Sequence, residues 1–579
     1  MKASLTAILL ALVLSASAAG ARNGRDTMII IPDEPSPVVT YAAKELQYFI
    51  AKSTGTRPAI VAEKHAVGRH GFVLGPCRRS GGPEIEKRLG ELREDGVLIK
   101  TVGDDVILLG QNDRGQLYTV YVLLEKYLGV RFLARDCTII PKHDKLDLPE
   151  IDYAYTPPFM YRETLYWDSF PKEIAARQRL NGPWSKCDEE VGGNIRIEPY
   201  VHSFARLVPP EKYFAEHPEY FSLVGGKRTN LTVHGQLCLT NPDVLEIATE
   251  QVLKWIADNP EVPIFDVSQN DGNGPCECDK CMAVVNEEGS QHGPILRFVN
   301  AIADEVAKKY PDKWIETLAY AYSTKPPSIT RPRRNVIIRL CHAGCYFHGF
   351  EECGLGANLA ANLDAWSKVT DNIFIWHYAA NFAHYIAPCQ NLDGLVKDIR
   401  YYAAHNVRGL MIQADYQSPG GEMAELRQYL AARLMWDPSR SPGVIRREFC
   451  NGYYGAAAGD VLRYVMLLDR AALDPGRHAF GAWDPKTTFA DAWLVEGLKI
   501  LEKARSRKLT AEQAQRVDRL FLPLWYLQLT YPDAYGFDTA KAPALVQEFK
   551  RIAQASKITH INEGALVDQW LAGMESKYH

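Results

Sequence analysis

The sequence lacks an apolar run that would span a bilayer comfortably. Its best candidate, within "MKASLTAILLALVLSASAAGA" at the start, falls short of the ~20 residues a spanning helix needs, and no later stretch does better. It also lacks a basic patch or a long block of like charge. With 66 Lys+Arg against 70 Asp+Glu and a net charge of -4, nothing supplies the electrostatic footprint of a nucleic-acid binder. Tandem repeats and low-complexity tracts are missing as well. So are G-x-S-x-G, the P-loop and H-E-x-x-H, and no G-x-G-x-x-G follows a strand in a dinucleotide unit. No cofactor is therefore implied, and no His/Asp ligand spacing singles out a metal site.

What is present is a globular composition, 46% hydrophobic and 23% charged over 579 residues, long enough for several domains. Residues 1–21 run from Lys2 through apolar residues to small ones, the order of a secretory signal peptide cleaved near Ala18 or Ala21. No cysteine follows to carry a lipid anchor, so a secreted or periplasmic protein is expected. Export bears on the 12 cysteines, because disulfides persist in an oxidising compartment. Cys276, Cys278 and Cys281 form one cluster and Cys341, Cys345 and Cys353 a second. Disulfide staples or buried free thiols are the first reading, since structural zinc takes four ligands in two close pairs. A structural metal or a redox centre remains as the alternative.

Periodicity divides the rest. Residues 22–150 read as an α/β domain: "TMIIIP", the helix "SPVVTYAAKELQYFIAKSTG", "GFVLGP", a hairpin around "GDD" and the helix "RGQLYTVYVLLEKYLGVRFL", with helices on one face of a sheet. Residues 151–440 alternate strand-like and helical runs. The strands "FMYRETLY", "EPYVHSF", "QLCLT", "VPIFDVSQND", "WIETLAYAYS", "NVIIRLCHA", "NIFIWHYAA" and "VRGLMIQADY" predict an α/β fold of TIM-like (β/α)8 barrel type. Residues 441–579 read as a helical domain.

In such a barrel the chemistry sits at the C-terminal strand ends. Alternation along "VPIFDVSQND" puts Asp266, Ser268 and Asn270 on one face, with Asp271 on the turn above and "GNG" bending the chain away. Glu316 lies near the start of its strand, towards the barrel floor, and reads as structural. Other strand ends offer Arg162, Glu163, Trp167, His202, Gln236, Tyr320, Tyr322, His342, Trp376, His377, Tyr378, Gln413, Asp415 and Tyr416. Aromatic faces mixed with polar groups suit a saccharide.

"GQNDRGQLYTVYVLLEKYLGVRFL" resembles the accessory domain of β-hexosaminidases and α-glucuronidases. "HPEYFSLVGGKR", "QLCLTNPDV", "VSQNDGNGPCECDKC", "TLAYAYSTKPP" and "GEMAELRQYLAARLMWDP" together resemble bacterial domain-of-unknown-function family 4838, which overlaps glycoside hydrolase family 163. That resemblance implies a secreted endo-β-N-acetylglucosaminidase acting on glycoprotein glycans, retaining through the substrate's 2-acetamido group. In that scheme Asp271 is the general acid/base and Asn270 holds the acetamide, with Glu163, Asp415 and then Glu422 next in line for the second role. Arg162, His202, Gln236, Tyr322, His342, Trp376, His377, Tyr378 and Gln413 would bind the sugar. The alternatives are an α-glucuronidase-like or other exo-glycosidase, and a non-catalytic glycan-binding protein on a hydrolase barrel.

Overall fold

The structure, a computed structural model, describes residues 28–230, 235–341, 344–389, 391–474 and 476–578. The expected signal segment, residues 1–21, lies outside them. No described helix is long and apolar enough to cross a membrane. The chain forms two compact units, one ending at Tyr155 and excluding Val130–Ile139, the other comprising that segment and everything from Thr156 on.

The first unit is a six-stranded sheet in the order Ala59–Ala62, Met28–Ile31, Gly71–Leu74, Asp105–Gly110, Val97–Val102, Asp152–Tyr155. The first three pairings are parallel and the hairpin and edge pairings antiparallel. The helix Pro37–Thr54 starts on the Ser36 hydroxyl and stops at left-handed Gly55. Gly110 lets the second long helix, Asp113–Tyr127, begin against the strand end, since a Cβ there would lie 1.9 Å from the Gln116 nitrogen. The helices are not confined to one face. Pro83–Gly90 inserts Ile85 among Ile30, Val73 and Ile107, covering the apolar side chains that strand alternation turns the other way.

The second unit is built on seven parallel strands that curl so that the last, Val407–Gln413, pairs with the first, Tyr161–Leu165. Between them run Ile197–Glu198, Ile264–Asp266, Trp314–Ala319, Val336–Cys341 and Ile373–Tyr378. Two expected strands depart from expectation. "EPYVHSF" contributes one residue, Glu198, to the two-residue strand Ile197–Glu198, and "QLCLT" none: Leu237 makes only an isolated bridge to Phe221. The side chains of "QLCLT" are engaged elsewhere, as the site shows. The interval between the first two strands is spanned instead by Asn181. Its N–H donates to the Arg162 carbonyl (2.9 Å), its carbonyl accepts from Ile195 (2.7 Å), and its Oδ1 accepts the Arg162 N–H (2.8 Å).

The inside of the curl is lined by apolar residues around a buried ion pair. Tyr161, Leu165, Ile197, Ile264, Ile337, Phe374 and Met411 line it. Among them Arg339 lies 5.3 Å from the Tyr161 ring centre and 5.8 Å from those of Phe374 and Trp376. It pairs with Glu316 at 2.8 Å, both side chains 1% exposed. Outward residues such as Phe265, Ile315, Ile338, Ile375 and Leu410 belong to the large core shared with the helices, from Pro242–Asp258 through Val567–Tyr578.

Breaking a buried pair by removing one partner costs about 3–5 kcal/mol, because the survivor is left uncompensated. Arg339→Met should lower the urea midpoint accordingly, and adding Glu316→Gln should recover more than half of the loss.

Candidate active site

At the C-terminal end of the curled sheet the strand Ile264–Asp266 runs into "VSQND", and four groups hold that turn. Ser268 donates its hydroxyl to Asp266 Oδ1 (2.7 Å) and accepts the His202 N–H (3.0 Å). Gln236 clamps Asn270 from both sides: its Oε1 accepts the Asn270 N–H and its Nε2 donates to the Asn270 carbonyl, each 3.0 Å. Gln269 accepts from the Ser323 hydroxyl and donates to the Tyr320 carbonyl (3.3 Å). The outcome is Asp271, exposed, with Tyr320 donating its hydroxyl to Oδ1 at 3.0 Å.

Asp271 borders a cavity of about 260 Å³ with His202, Leu318, Tyr320, Cys341, Trp376, Tyr378, Phe382, Gln413 and Glu563. His202 Nδ1 faces the Gln269 carbonyl at 2.8 Å, so we assign its proton to Nδ1, leaving Nε2 to serve as acceptor. The Trp376 indole N–H is fixed by Gln413 Oε1 (2.8 Å). Successive ring contacts, Trp184–Tyr200, Tyr200–Trp376, Trp376–Tyr378 and Tyr378–Phe382, with centres 5.9–6.3 Å apart, lead into the cavity.

Glu563 was not anticipated. It sits beyond the helix Ala542–Ala555, in a loop whose backbone returns to the sheet: Glu563 N–H donates to the Phe382 carbonyl (3.0 Å) and Thr559 N–H to the Ser418 hydroxyl (2.8 Å). Its carboxylate is exposed and accepts from the Tyr416 hydroxyl (3.4 Å). The only local signal is the turn-forming "NEG", where Asn562 Oδ1 accepts the Gly564 N–H.

Of the residues expected in the site, Asp271, His202, Trp376, Tyr378 and Gln413 meet at this cavity. The others are placed differently. Asn270 spends its amide on the Gly235 carbonyl (2.6 Å) and the Ala205 N–H (3.0 Å), so it is not free to hold an acetamide. Gln236 is the backbone clamp. Arg162, on the outward face of its strand, donates to the Arg179 and Phe159 carbonyls and lies over Trp436. His377, also outward, meets the Tyr402 hydroxyl at 3.0 Å. Tyr322 borders a separate small hollow beside Cys276 and Cys281. Asp415 is buried, accepting the Gly421 N–H (3.0 Å), and Glu422 is tied to Arg427. His342 lies outside the described residues. A larger hollow of about 540 Å³ lies beside Trp167 and Asp168, but its Glu425 and Asp136 are neutralised by Arg519 (2.6 Å) and Arg516 (3.0 Å).

Glu163 is fully buried off the cavity, accepting from the Tyr161 hydroxyl and the Trp184 N–H, both at 2.6 Å. Burial pushes its carboxyl up to about 7, against the lowering by those two donors.

The model of domain-of-unknown-function family 4838 matches residues 132–466. The chain belongs to that family. The glycosyl hydrolase family 67 N-terminus model matches residues 14–123 of this family-4838 protein. No curated protein matches it. Among solved structures, a family GH115 4-O-methyl-α-glucuronidase with specificity for decorated arabinogalactans is similar in fold. It has TM-score 0.56 and 11% identity, over 92% of this chain and 77% of the other. A GH138 enzyme targeting pectin rhamnogalacturonan II matches with TM-score 0.47 and 11% identity, over 95% and 79%.

The raised carboxyl gives a signed prediction. Between pH 4.5 and 7 the folded protein keeps a proton on Glu163 that the unfolded chain releases, so stability falls as pH rises through that window and stays low above it. Glu163→Gln cannot ionise; its amide can accept from Trp184 and donate to the Tyr161 oxygen. Its stability should be flatter across the window and higher at pH 8 by on the order of 2 kcal/mol, read by urea unfolding at a series of pH values.

Proposed function

We propose that this protein is an exported glycoside hydrolase that removes one terminal sugar from a saccharide chain, with the curled sheet acting as a (β/α)8-type barrel whose eighth position is filled by the Asn181 segment. One observation carries the reading: two exposed carboxylates, Asp271 and Glu563, border one aromatic-lined cavity at the C-terminal strand ends. Glycoside hydrolysis runs on such a pair flanking the scissile bond. Asp271 serves as the proton donor to the leaving oxygen and Glu563 as its partner carboxylate. The rings of Trp376, Tyr378 and Phe382 take the apolar face of the sugar, and Gln413 and His202 meet its hydroxyls.

The occupied Asn270 amide weakens the N-acetylglucosaminide reading. The family 67 N-terminal match and the fold likeness to an α-glucuronidase support the exo-acting alternative instead. No lysine or arginine stands among the described lining residues, so a uronate carboxylate would meet His202, Gln413 and tyrosine hydroxyls beside two acids. An uncharged terminal sugar is the better fit. Export rests on the signal-like residues 1–21.

A panel of aryl glycosides, neutral and uronic, with a glycoprotein alongside, tests this by mass spectrometry of released sugars. Single-sugar release is expected, and Asp271→Asn and Glu563→Gln should each cut kcat by roughly a hundredfold or more with the fold intact. Near-normal turnover in Asp271→Asn would overturn the assignment. Glycans cut within their core would restore the endo reading, and an untouched panel would favour a glycan-binding protein.

A further inference from the structure

The first cysteine cluster gains a member that spacing alone did not reveal. Cys238, from "QLCLT", joins Cys276, Cys278 and Cys281, and the four sulfurs lie within 4.8 Å of one another. All four cysteines are free thiols, as are the other eight. We infer that these four sulfurs form a tetrathiolate zinc site that fixes the catalytic turn from behind.

The sulfur separations fit a tetrahedral metal centre. With Zn–S bonds of about 2.3 Å, tetrahedral coordination puts the sulfurs ~3.8 Å apart. Cys238 Sγ lies 3.7 Å from Cys278 Sγ and 3.9 Å from Cys281 Sγ. A disulfide would bring two sulfurs to ~2.05 Å. Surrounding groups suit a dianionic centre of one Zn²⁺ and four thiolates. The Leu223 N–H donates to Cys276 Sγ at 3.4 Å, Arg228 Nη1 lies 3.7 Å from the same sulfur, and Thr240 Oγ1 is 3.2 Å from Cys281 Sγ. On binding, each thiol gives up its proton and the sulfur lone pair goes to the metal. The ligands come from both segments that meet at the turn: Cys238 follows Gln236, the clamp on Asn270, and Cys276 follows Asp271 by five residues. The ion thereby joins the clamp to the loop leaving the catalytic carboxylate.

A different set of residues independently carries a second site. Cys345, His348, Cys353 and His478 place their ligand atoms within 4.8 Å of one another. For Zn–S of about 2.3 Å and Zn–N of about 2.05 Å the tetrahedral S···N distance is ~3.6 Å. Cys345 Sγ to His348 Nδ1 and Cys353 Sγ to His478 Nδ1 are each 3.5 Å. This ion would tie the loop after the strand Val336–Cys341 to the segment following the helix Ala458–Ala472.

The test is elemental analysis of the purified full chain by plasma mass spectrometry, with mercurial titration of thiols and colorimetric readout of released zinc. Two zinc ions per chain are expected, with Cys238→Ser/Cys281→Ser and His348→Ala/His478→Ala each losing one. Cobalt loaded into the His348→Ala/His478→Ala variant should show the thiolate-to-cobalt charge-transfer band of a four-sulfur site. If either double variant fails to fold, alkylation mapping of the wild type decides: cysteines protected until zinc is released support the sites. Metal-free wild type, or disulfides linking Cys238, Cys276, Cys278 or Cys281, would overturn the first site. A single zinc that survives replacement of His348 and His478 would overturn the second.

Discussion

The reciprocal hydrogen bonds between one primary amide, Gln236, and the backbone of Asn270 hold the turn on which the site depends. A strand leaving a parallel sheet has no ladder to satisfy its next N–H and carbonyl, and both must find partners when buried. Here a side chain supplies both at once. With that backbone fixed, Ser268, Gln269 and Tyr320 find their partners, and Asp271 is delivered to the cavity without itself being buried.

Beneath the cavity the interior follows a different logic. Arg339 and Glu316 sit among aromatic rings, and buried atoms such as Arg339 Nε and Nη1, Glu316 Oε1 and Asp266 Oδ2 find no protein partner. A low-dielectric interior makes such groups costly and directional together. The floor is therefore charged, whereas the upper rim carries rings and exposed acids.

Much of this was legible in residue order. Six of the eight expected strands are present, because parallel strands buried on both faces leave continuous apolar runs, though "VPIFDVSQND" is strand only over Ile264–Asp266. "QLCLT" has the composition of a strand, but Gln236 and Cys238 are bound to a turn and a thiol cluster contributed by another segment, a tertiary demand that local pattern does not carry. The strand end followed by "GNG" sets Asp271 on the turn above the sheet, where it borders the cavity. Alternation, applied to the first and sixth strands, puts Arg162 between inward Tyr161 and Glu163, and His377 between Trp376 and Tyr378, so both must face outward. Counting polar strand ends without that parity overfilled the site. Alternation sets Asn270 on one face with Asp266 and Ser268, but backbone groups at Gly235 and Ala205 take its side chain. Glu563 had no signal of comparable kind, since its position follows from how the terminal helices pack.

That last residue bears on how this protein can be divided. The family-matched stretch ends at residue 466, yet one of the two acids at the cavity arrives from a loop well beyond it. The terminal helices are thus a courier as well as a buttress. A fragment cut at that border would keep the cup and lose part of its lip.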